Sequence, residues 1–466
     1  LCAIMLSDSG HIQEMESEWH NRKNRRSGLP LVEPLYTVEE AKRSLDLFVG
    51  HPYNERFTLS EGIEVEFTDA GHLLGSSSIQ VWLKEGDSER HLIFSGDIGN
   101  LDQPIIEDPV RFSSGDFIVM ESTYGDRLHE GESYANQEEA TYKRSKQLAE
   151  IIEETFERGG NVIIPSFAVG RTQELLYLLR YIIDNNLIPN IPYLPVFLDS
   201  PLAIEATKVF SRNTKGYFDG EAMEVVKRGE NPLIFDSLTT TVTADESKEL
   251  NFRKESCVII SSSGMCEAGR IKHHLKHNLW RSESTILFCG YQAKGTLGRS
   301  ILDGSPKVTI FGEQIEVRAA IRKLDNISGH ADQKGLLEWL NCLTTPPEHI
   351  FVVHGEERIA HYLAGLLGTT LDYKAWAPEV GQSFDLLNDE IPVATEERLW
   401  VRALEELKSL YGRLDVAFEK LEGLYRRLHE RGANLEKEMS GDAGRIADAV
   451  GRFVEELDAL NGRWDN

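Results

Sequence analysis

TDAGHLLGSSSI (residues 68–79) leads through an alternating apolar run to HLIFSGDIGN (residues 91–100). Gly71 and Gly75 bracket His72, and Gly96 and Gly99 bracket Asp97. Each polar residue therefore sits where a strand gives way to a turn, a place from which a side chain can face a cleft. Around this pair the hydrophobic period is two. IEVEF from Ile63, SIQVWL, HLIFS and FIVMES are separated by turn residues and predict four short strands in one antiparallel sheet.

Upstream, residues 11–26 suit a helix that ends in the basic cluster Arg22, Lys23, Arg25 and Arg26 before Gly28. A solvated surface turn is the first reading of that cluster and a phosphate contact the second. Thr37 and Glu40 form a capping-box pattern that opens a helix running to Leu47. Downstream of Glu121 helices and strands alternate. A polar helix over residues 135–157 is followed by NVIIPSF, a helix from Gly170 to Asn185, PVFLDSP, a helix from Leu202, CVIISSSG, a helix from Ala268, TILFCG and a helix near Leu297. Short apolar runs alternating with helices predict a second domain, with a parallel sheet covered on both faces. EVRAAI, a helix from Asp332 to Leu343, HIFVVHGE and a helix from Glu356 complete the ordered pattern. From Thr395 a heptad seam begins at Trp400, and a second follows the break at Ser440-Gly441-Asp442. These predict a helical hairpin, closed on itself or paired with a second subunit.

The chain has 466 residues, a length that calls for two or three domains, and a formal net charge of −26. That charge repels polyanions at long range, so a nucleic-acid enzyme would need a local basic groove. No apolar run approaches the ~20 residues of a membrane span and no signal peptide opens the chain. Five cysteines without a CxxC pair predict reduced thiols in a cytoplasmic protein, packed as small core residues.

His72, Asp97, Glu121, His330 and His354 all lie at strand ends or in the turns after them, in AGHLLG, SGDIG, MESTYGD, ISGHAD and VVHGEE. Imidazole and carboxylate are the ligands zinc prefers in hydrolytic sites. A metal hydrolase is the leading reading on this chemistry alone.

With these motifs in view, the chain resembles the β-CASP branch of the metallo-β-lactamase superfamily, the RNA-processing nucleases. AGHLLGSSSI, SGDIGN, ESTYGDR, PSFAVGRTQELL, DSPLA, SSSGMCEAGRIKHHL, YQAKGTLGR, ISGHADQKGLLEWL and VVHGEE carry the resemblance, in family order, over residues 1–390. It implies a metallo-β-lactamase αββα sandwich interrupted by a β-CASP α/β domain. The expected divisions are residues 1–127 and 327–394 for the first domain, 128–326 for the insertion and 395–466 for the helical tail. It implies two zinc ions, with His72, Asp97 and His354 as metal ligands and Asp97 bridging. Glu121 and His330 match the branch's catalytic pair, in which the histidine protonates the leaving oxygen.

The family's HxHxDH string, which supplies four further ligands, does not occur; HHLKH at 273–277 has the wrong spacing. The expectation is a chain truncated at its N-terminus, lacking the first strands of its sheet and binding zinc weakly or not at all. The resemblance also implies single-stranded RNA as partner. Ser262, Ser263 and Gly264, and again Gly295 and Thr296, follow strands and precede helices, an arrangement that offers N–H groups to phosphate. Arg171, Arg270 and Arg299 stand near these turns as candidate phosphate partners. His273, His274 and His277 read as helix-surface or groove-wall residues. Two other readings stay open: a hydrolase of a small substrate on the same fold, and a non-catalytic scaffold.

Overall fold

The structure, a computed structural model, describes residues 1–129, 134, 136–324 and 327–388. The predicted helical tail over 395–466 lies outside these. Leu1–Pro378 form one compact unit and Glu379–Asn466 a second; the following concerns the first.

The chain opens with α1 (Cys2–Ser27), longer than its apolar pattern predicts, closed by Gly28 in the left-handed conformation. Helix α2 (Val38–Ser44) carries the predicted capping box. The Thr37 hydroxyl accepts from the Glu40 N–H at 3.2 Å, and the Glu40 carboxylate accepts from the Thr37 N–H at 2.8 Å. Strands β1 (Phe57–Ser60), β2 (Ile63–Asp69), β3 (Ser77–Glu85), β4 (Ser88–Phe94) and β5 (Phe117–Met120) then build one sheet. The pairs from β1 to β4 are antiparallel, as expected, but β5 lies parallel to β4. The prediction of a wholly antiparallel sheet is thus corrected. The reason is the connection: residues 95–116 are long enough to carry the chain back to the starting edge, which no tight hairpin could do.

The second part begins with α3 (Gln137–Glu157), whose polar sequence still buries a face through Ala140, Leu148 and Ile152. There follow β6 (Val162–Pro165), α4 (Arg171–Asp184), β7 (Val196–Leu198), α5 (Pro201–Arg212), α6 (Gly220–Lys227), β8 (Leu238–Thr240), α7 (Ala244–Leu250), β9 (Val258–Ser261), α8 (Ile271–Asn278), β10 (Thr285–Phe288) and α9 (Leu297–Leu302). The hairpin β11 (Lys307–Ile310) and β12 (Glu313–Glu316) leads to β13 (Ala320–Lys323). Six strands form a parallel sheet in the order β13-β10-β6-β9-β7-β8. Alternation along each strand feeds two cores. Val162, Ile164, Val258 and Ile260 pack with Leu148, Leu175 and Leu179 on one face; Ile163, Ile259 and Ile286 pack with Ile271, Leu275 and Ile301 on the other. Strands buried on both faces need apolar side chains at every position, which is why these runs read as continuous rather than alternating.

The chain returns to the first sheet through α10 (Gln333–Leu340), β14 (His349–Val352), α11 (Glu357–Leu371) and β15 (Ala375–Trp376). β14 slots parallel between β5 and β15. Leu336, Leu340, Leu363 and Leu367 cover Ile93, Ile118, Ile350 and Val352 on one face of the seven-stranded sheet. Among the described residues no helix is long and apolar enough to cross a membrane.

Leu175 is fully buried between α3 and the second sheet. Leu175→Ala should lower the unfolding free energy by about 3 kcal/mol, measured by denaturant titration.

Candidate metal centre and its surroundings

Strands β2, β4, β5 and β14 run in the same direction, so their carboxyl ends share one edge of the sheet. His72, Asp97, Glu121 and His354 follow those four ends. His330 arrives from the other sheet, in the segment after β13, and Gly99 pairs with it as an isolated bridge. The loops are stitched backbone to backbone. Gly99 N–H donates to Ala70 O at 2.8 Å, Asn100 N–H to Gly329 O at 2.9 Å, Ala331 N–H to Ile98 O at 2.8 Å and Ser122 N–H to His354 O at 3.0 Å. Five residues far apart in sequence are thereby fixed on one rigid platform.

Asp97 stands between two imidazoles. Its Oδ2 lies 3.9 Å from His72 Nε2 and its Oδ1 lies 3.2 Å from His354 Nε2. Ligand atoms of His72, Asp97 and His330 all fall within 4.8 Å of one another. His72 Nδ1 is buried without a hydrogen-bond partner. It is the other ring nitrogen, Nε2, that faces the carboxylate, and imidazole and carboxylate are donors that zinc takes, so His72, Asp97 and His354 fit as part of a zinc ligand set. Burial and the neighbouring His330 push the His72 pKa down, which keeps the ring neutral as a ligand must be. His354 adopts a left-handed backbone, φ 46°. The next residue, Gly355, passes so close to Ser122 that a Cβ there would lie 2.3 Å from its hydroxyl.

Glu121 is 1% exposed and takes the Ile98 N–H on Oε1. His330 Nδ1 lies 3.3 Å from Glu121 Oε2. Burial alone would lower the His330 pKa, but Glu121 and Asp97 outweigh it and hold it above the ordinary histidine value. Two residues that sequence reasoning missed support this pair. His129 Nε2 lies 2.9 Å from the His330 carbonyl oxygen, and its backbone N–H donates to Asp332 Oδ2 at 2.9 Å. The Tyr124 ring stands edge-on to His330, centroids 5.9 Å apart. The available signal was their place in ESTYGDRLH, the same turn that carries Glu121.

The second sheet also turns its carboxyl edge toward the platform. A Cβ on Gly170 would lie 2.2 Å from Leu73, and Arg171 approaches Gly329. Along this edge the predicted phosphate contacts are in large part committed elsewhere. Arg171 is buried against Glu174. Arg270 donates to Asp199 Oδ1 at 2.7 Å and to the Val242 carbonyl at 2.7 Å. Ser262 Oγ bonds Ser200 Oγ at 3.0 Å, Ser263 N–H donates to Ala268 O at 3.2 Å and the Gly264 carbonyl accepts from Gln292 at 2.9 Å. Helix α8 starts only at Ile271, so the Ser262–Gly264 turn does not sit on its N-terminus. Thr296 caps α9, following Gly295 in its left-handed turn, and the Leu297 N–H is taken by the Glu267 carboxylate. Arg299 bonds Asp303 at 2.9 Å. The helix N-termini expected at these turns differ in the structure: the first turn opens no helix, and at the second a carboxylate already takes an N–H of α9.

His274 is a further correction. It is fully buried, not on the helix surface, with Nε2 2.6 Å from Asp199 Oδ2 and Nδ1 3.1 Å from Asn251 Oδ1. Asp199 is itself fully buried. Burial would raise its pKa, but hydrogen bonds from His274, Ser247, Thr241 and Arg270 outweigh this and hold it well below the usual carboxylate range.

A carboxylate between imidazoles, at the carboxyl edge of a mixed sheet and facing a second α/β sheet, defines a metal-dependent hydrolase. Residues 172–301 match the Beta-Casp domain, and residues 314–378 match the Zn-dependent metallo-hydrolase RNA specificity domain. The chain is 35% identical over 336 residues to ribonuclease TTHA0252 of Thermus thermophilus, covering 72% of each protein. It is 31% identical over 347 residues to an RNase J-like protein of Methanocaldococcus jannaschii, covering 74% of this chain and 76% of that one. The transcription termination factor FttA of Methanosarcina mazei is 29% identical over 321 residues, which span 67% of this chain and 48% of the factor. The chain belongs to the β-CASP family of metallo-β-lactamase-fold hydrolases.

Two outcomes test this geometry. Gly99→Ala would set a Cβ 1.8 Å from the Gly71 carbonyl oxygen, so the platform must part; the variant should unfold several degrees lower in a thermal melt. Asp199→Asn should cost about 3 kcal/mol at neutral pH, because it leaves buried partners uncompensated. The Asp199 carboxylate is more acidic folded than unfolded, so its contribution is full above pH ~4 and is lost as pH falls below that. Denaturant unfolding at pH 7 and pH 3 should show a smaller acid loss in the variant than in the wild type.

Proposed function

We propose that this protein hydrolyses phosphodiester bonds of single-stranded RNA, leaving a 5′-phosphate and a 3′-hydroxyl. The observation that carries this reading is the Asp97 carboxylate set between His72 and His354 with the Glu121–His330 pair alongside. His72, Asp97 and His354 would hold zinc, with Asp97 offering one oxygen to each side. Bound zinc supplies a water of lowered pKa and charge stabilisation at phosphorus.

The remaining work belongs to the protein's own groups. With Nδ1 engaged by Glu121, His330 has Nε2 left to face the scissile bond and give its proton to the leaving 3′ oxygen. Glu121, fixed by the Ile98 N–H, keeps the His330 ring in that tautomer and favours its protonated form. The His129 ring bonds the His330 carbonyl, and Asp332 in turn holds the His129 backbone, which steadies the segment carrying His330. RNA would run along the facing edge of the second sheet. There Ser263 and Arg299 line the path, while Ser262, Gly264, Gly295 and Thr296 shape the two turns. Arg171 and Arg270 support the walls through Glu174 and Asp199. The RNA specificity domain matched over residues 314–378 supports RNA as the polymer.

A second reading of His330 rests on its closeness to His72 and Asp97: it would be a ligand of the same ion. His330→Ala separates the two. As a general acid its loss should cut RNA cleavage by about 10²–10⁴-fold while zinc affinity, read by calorimetry, stays within twofold. A parallel fall in zinc affinity makes it a ligand, and an unchanged cleavage rate removes it from both roles.

A further inference from the structure

Residues 20–26 read HNRKNRR, four cations in five positions on a chain of net charge −26. They form the last two turns of α1, and Arg22, Lys23, Arg25 and Arg26 are all exposed. Trp19, one turn earlier, is 61% exposed, with its ring edge-on to His20 at 5.0 Å. This end of the helix is not a fraying tip. The chain doubles back along it, and Asn21 pairs with the Val32 backbone through two bonds of 2.8 and 2.7 Å while Asn24 donates to Pro30 O at 2.8 Å. At the other end Leu1 packs into the cluster of Leu74, Ile105, Tyr177 and Phe210. The helix is therefore rooted against the cluster that contains Leu74 and carries its cations roughly 30–36 Å along its axis from that root, at 1.5 Å per residue.

The helix dipole accounts for cations in the final turn, Arg25 and Arg26. It does not account for Arg22, nor for an indole left in solvent one turn before it. Arg22 meets Glu18 only at 3.4 Å with both side chains mostly exposed, a pairing that contributes little. A flat aromatic surface flanked by guanidinium groups is the composition of a single-strand platform, on which a base stacks while the cations take the adjoining phosphates. A strongly acidic chain that acts on a polyanion also needs its attraction concentrated somewhere.

We propose that the C-terminal end of α1 is an RNA-docking exosite. Trp19 stacks on a base and Arg22, Arg25 and Arg26 neutralise phosphates, so that an RNA longer than the catalytic cleft is held at two places at once. This rests on the ribonuclease reading above. Two-point attachment raises affinity for long RNA without altering chemistry at the cleft.

The test uses the whole chain and fluorescein-labelled oligouridylates of about 6 and about 40 nucleotides, short and long against the span of the arm. The variants are Arg22→Glu/Arg25→Glu/Arg26→Glu and Trp19→Ala, all at exposed positions, with thermal melts to confirm the fold. The triple variant should bind the long RNA at least tenfold more weakly, and its salt slope should fall by about two. Trp19→Ala should weaken it roughly tenfold. Binding and cleavage of the short RNA should not change. Equal losses for short and long RNA, or an unaltered salt slope, would overturn the exosite. Unmoved affinity for both RNAs would do the same and mark the patch as a protein-docking surface. Binding of the short RNA by the wild type leaves the RNA reading of the cleft standing in each of those cases; wild-type protein that bound neither RNA would overturn that reading and the exosite with it.

Discussion

The catalytic end of this molecule depends on backbones that touch where side chains are missing. Gly99 lies so close to Gly71 that any Cβ would enter the Gly71 carbonyl oxygen, and a Cβ at Gly329 would press on the His72 ring at 3.0 Å. These contacts let the loops after β2 and β4 and the segment carrying His330 bond directly to one another. A ligand set drawn from separate strand ends is only as accurate as the links between its loops. Here the links are main-chain hydrogen bonds, which need no side-chain rotamer to be fixed, and glycine is what permits them. Side-chain chemistry at His72, Asp97 and His330 follows from that approach.

The protein uses the Asp–His pairing twice, with opposite results. Asp199 and His274 are fully buried, and both ring nitrogens of His274 have partners. Every lone pair and proton there is satisfied within the protein, and the network holds the β7–α5 turn, Arg270 and α7 together. Around Asp97 the carboxylate is part exposed, His72 lies 3.9 Å off and has one nitrogen unsatisfied, and His354 is mostly exposed. Complete hydrogen bonding makes a histidine structural; a ring nitrogen that faces a carboxylate at 3.9 Å, too far for a hydrogen bond, leaves room for a cation between them. The difference is one of accounting for donors and acceptors, which residue type alone cannot reveal.

This explains what could be read in the sequence. Glycines bracketing His72 and Asp97 announced strand-end turns, and the apolar runs of β6, β9 and β10 announced a sheet buried on both faces. Thr37 and Glu40 announced their helix start through the capping box. Direction within a sheet was not legible, because period two is the same for parallel and antiparallel strands, and β5 was misjudged for that reason. The burial of His274 is not legible locally because its helix face is set by a partner, Asp199, seventy-five positions away. The helix-terminus cradles failed similarly: Glu267 reaches the N-terminus of α9 from a separate turn, and no local pattern at Gly295–Thr296 signals it.

That Glu267 contact also bears on how an acidic protein can hold a polyanion. A carboxylate on the first N–H of α9 occupies the place where a phosphate would have to go, and Asp199 likewise takes the charge of Arg270. Cations close to the second sheet are thus spent on internal carboxylates, where they stiffen the groove without lending it net positive charge. Within a Debye length of about 8 Å at physiological ionic strength, such neutral pairs exert little pull on RNA. Long-range attraction must then come from charge that is not compensated, and recognition inside the groove from shape, hydroxyls and the metal centre. On the exosite proposal, binding strength and catalytic geometry would lie in different parts of the chain, and each could vary without disturbing the other.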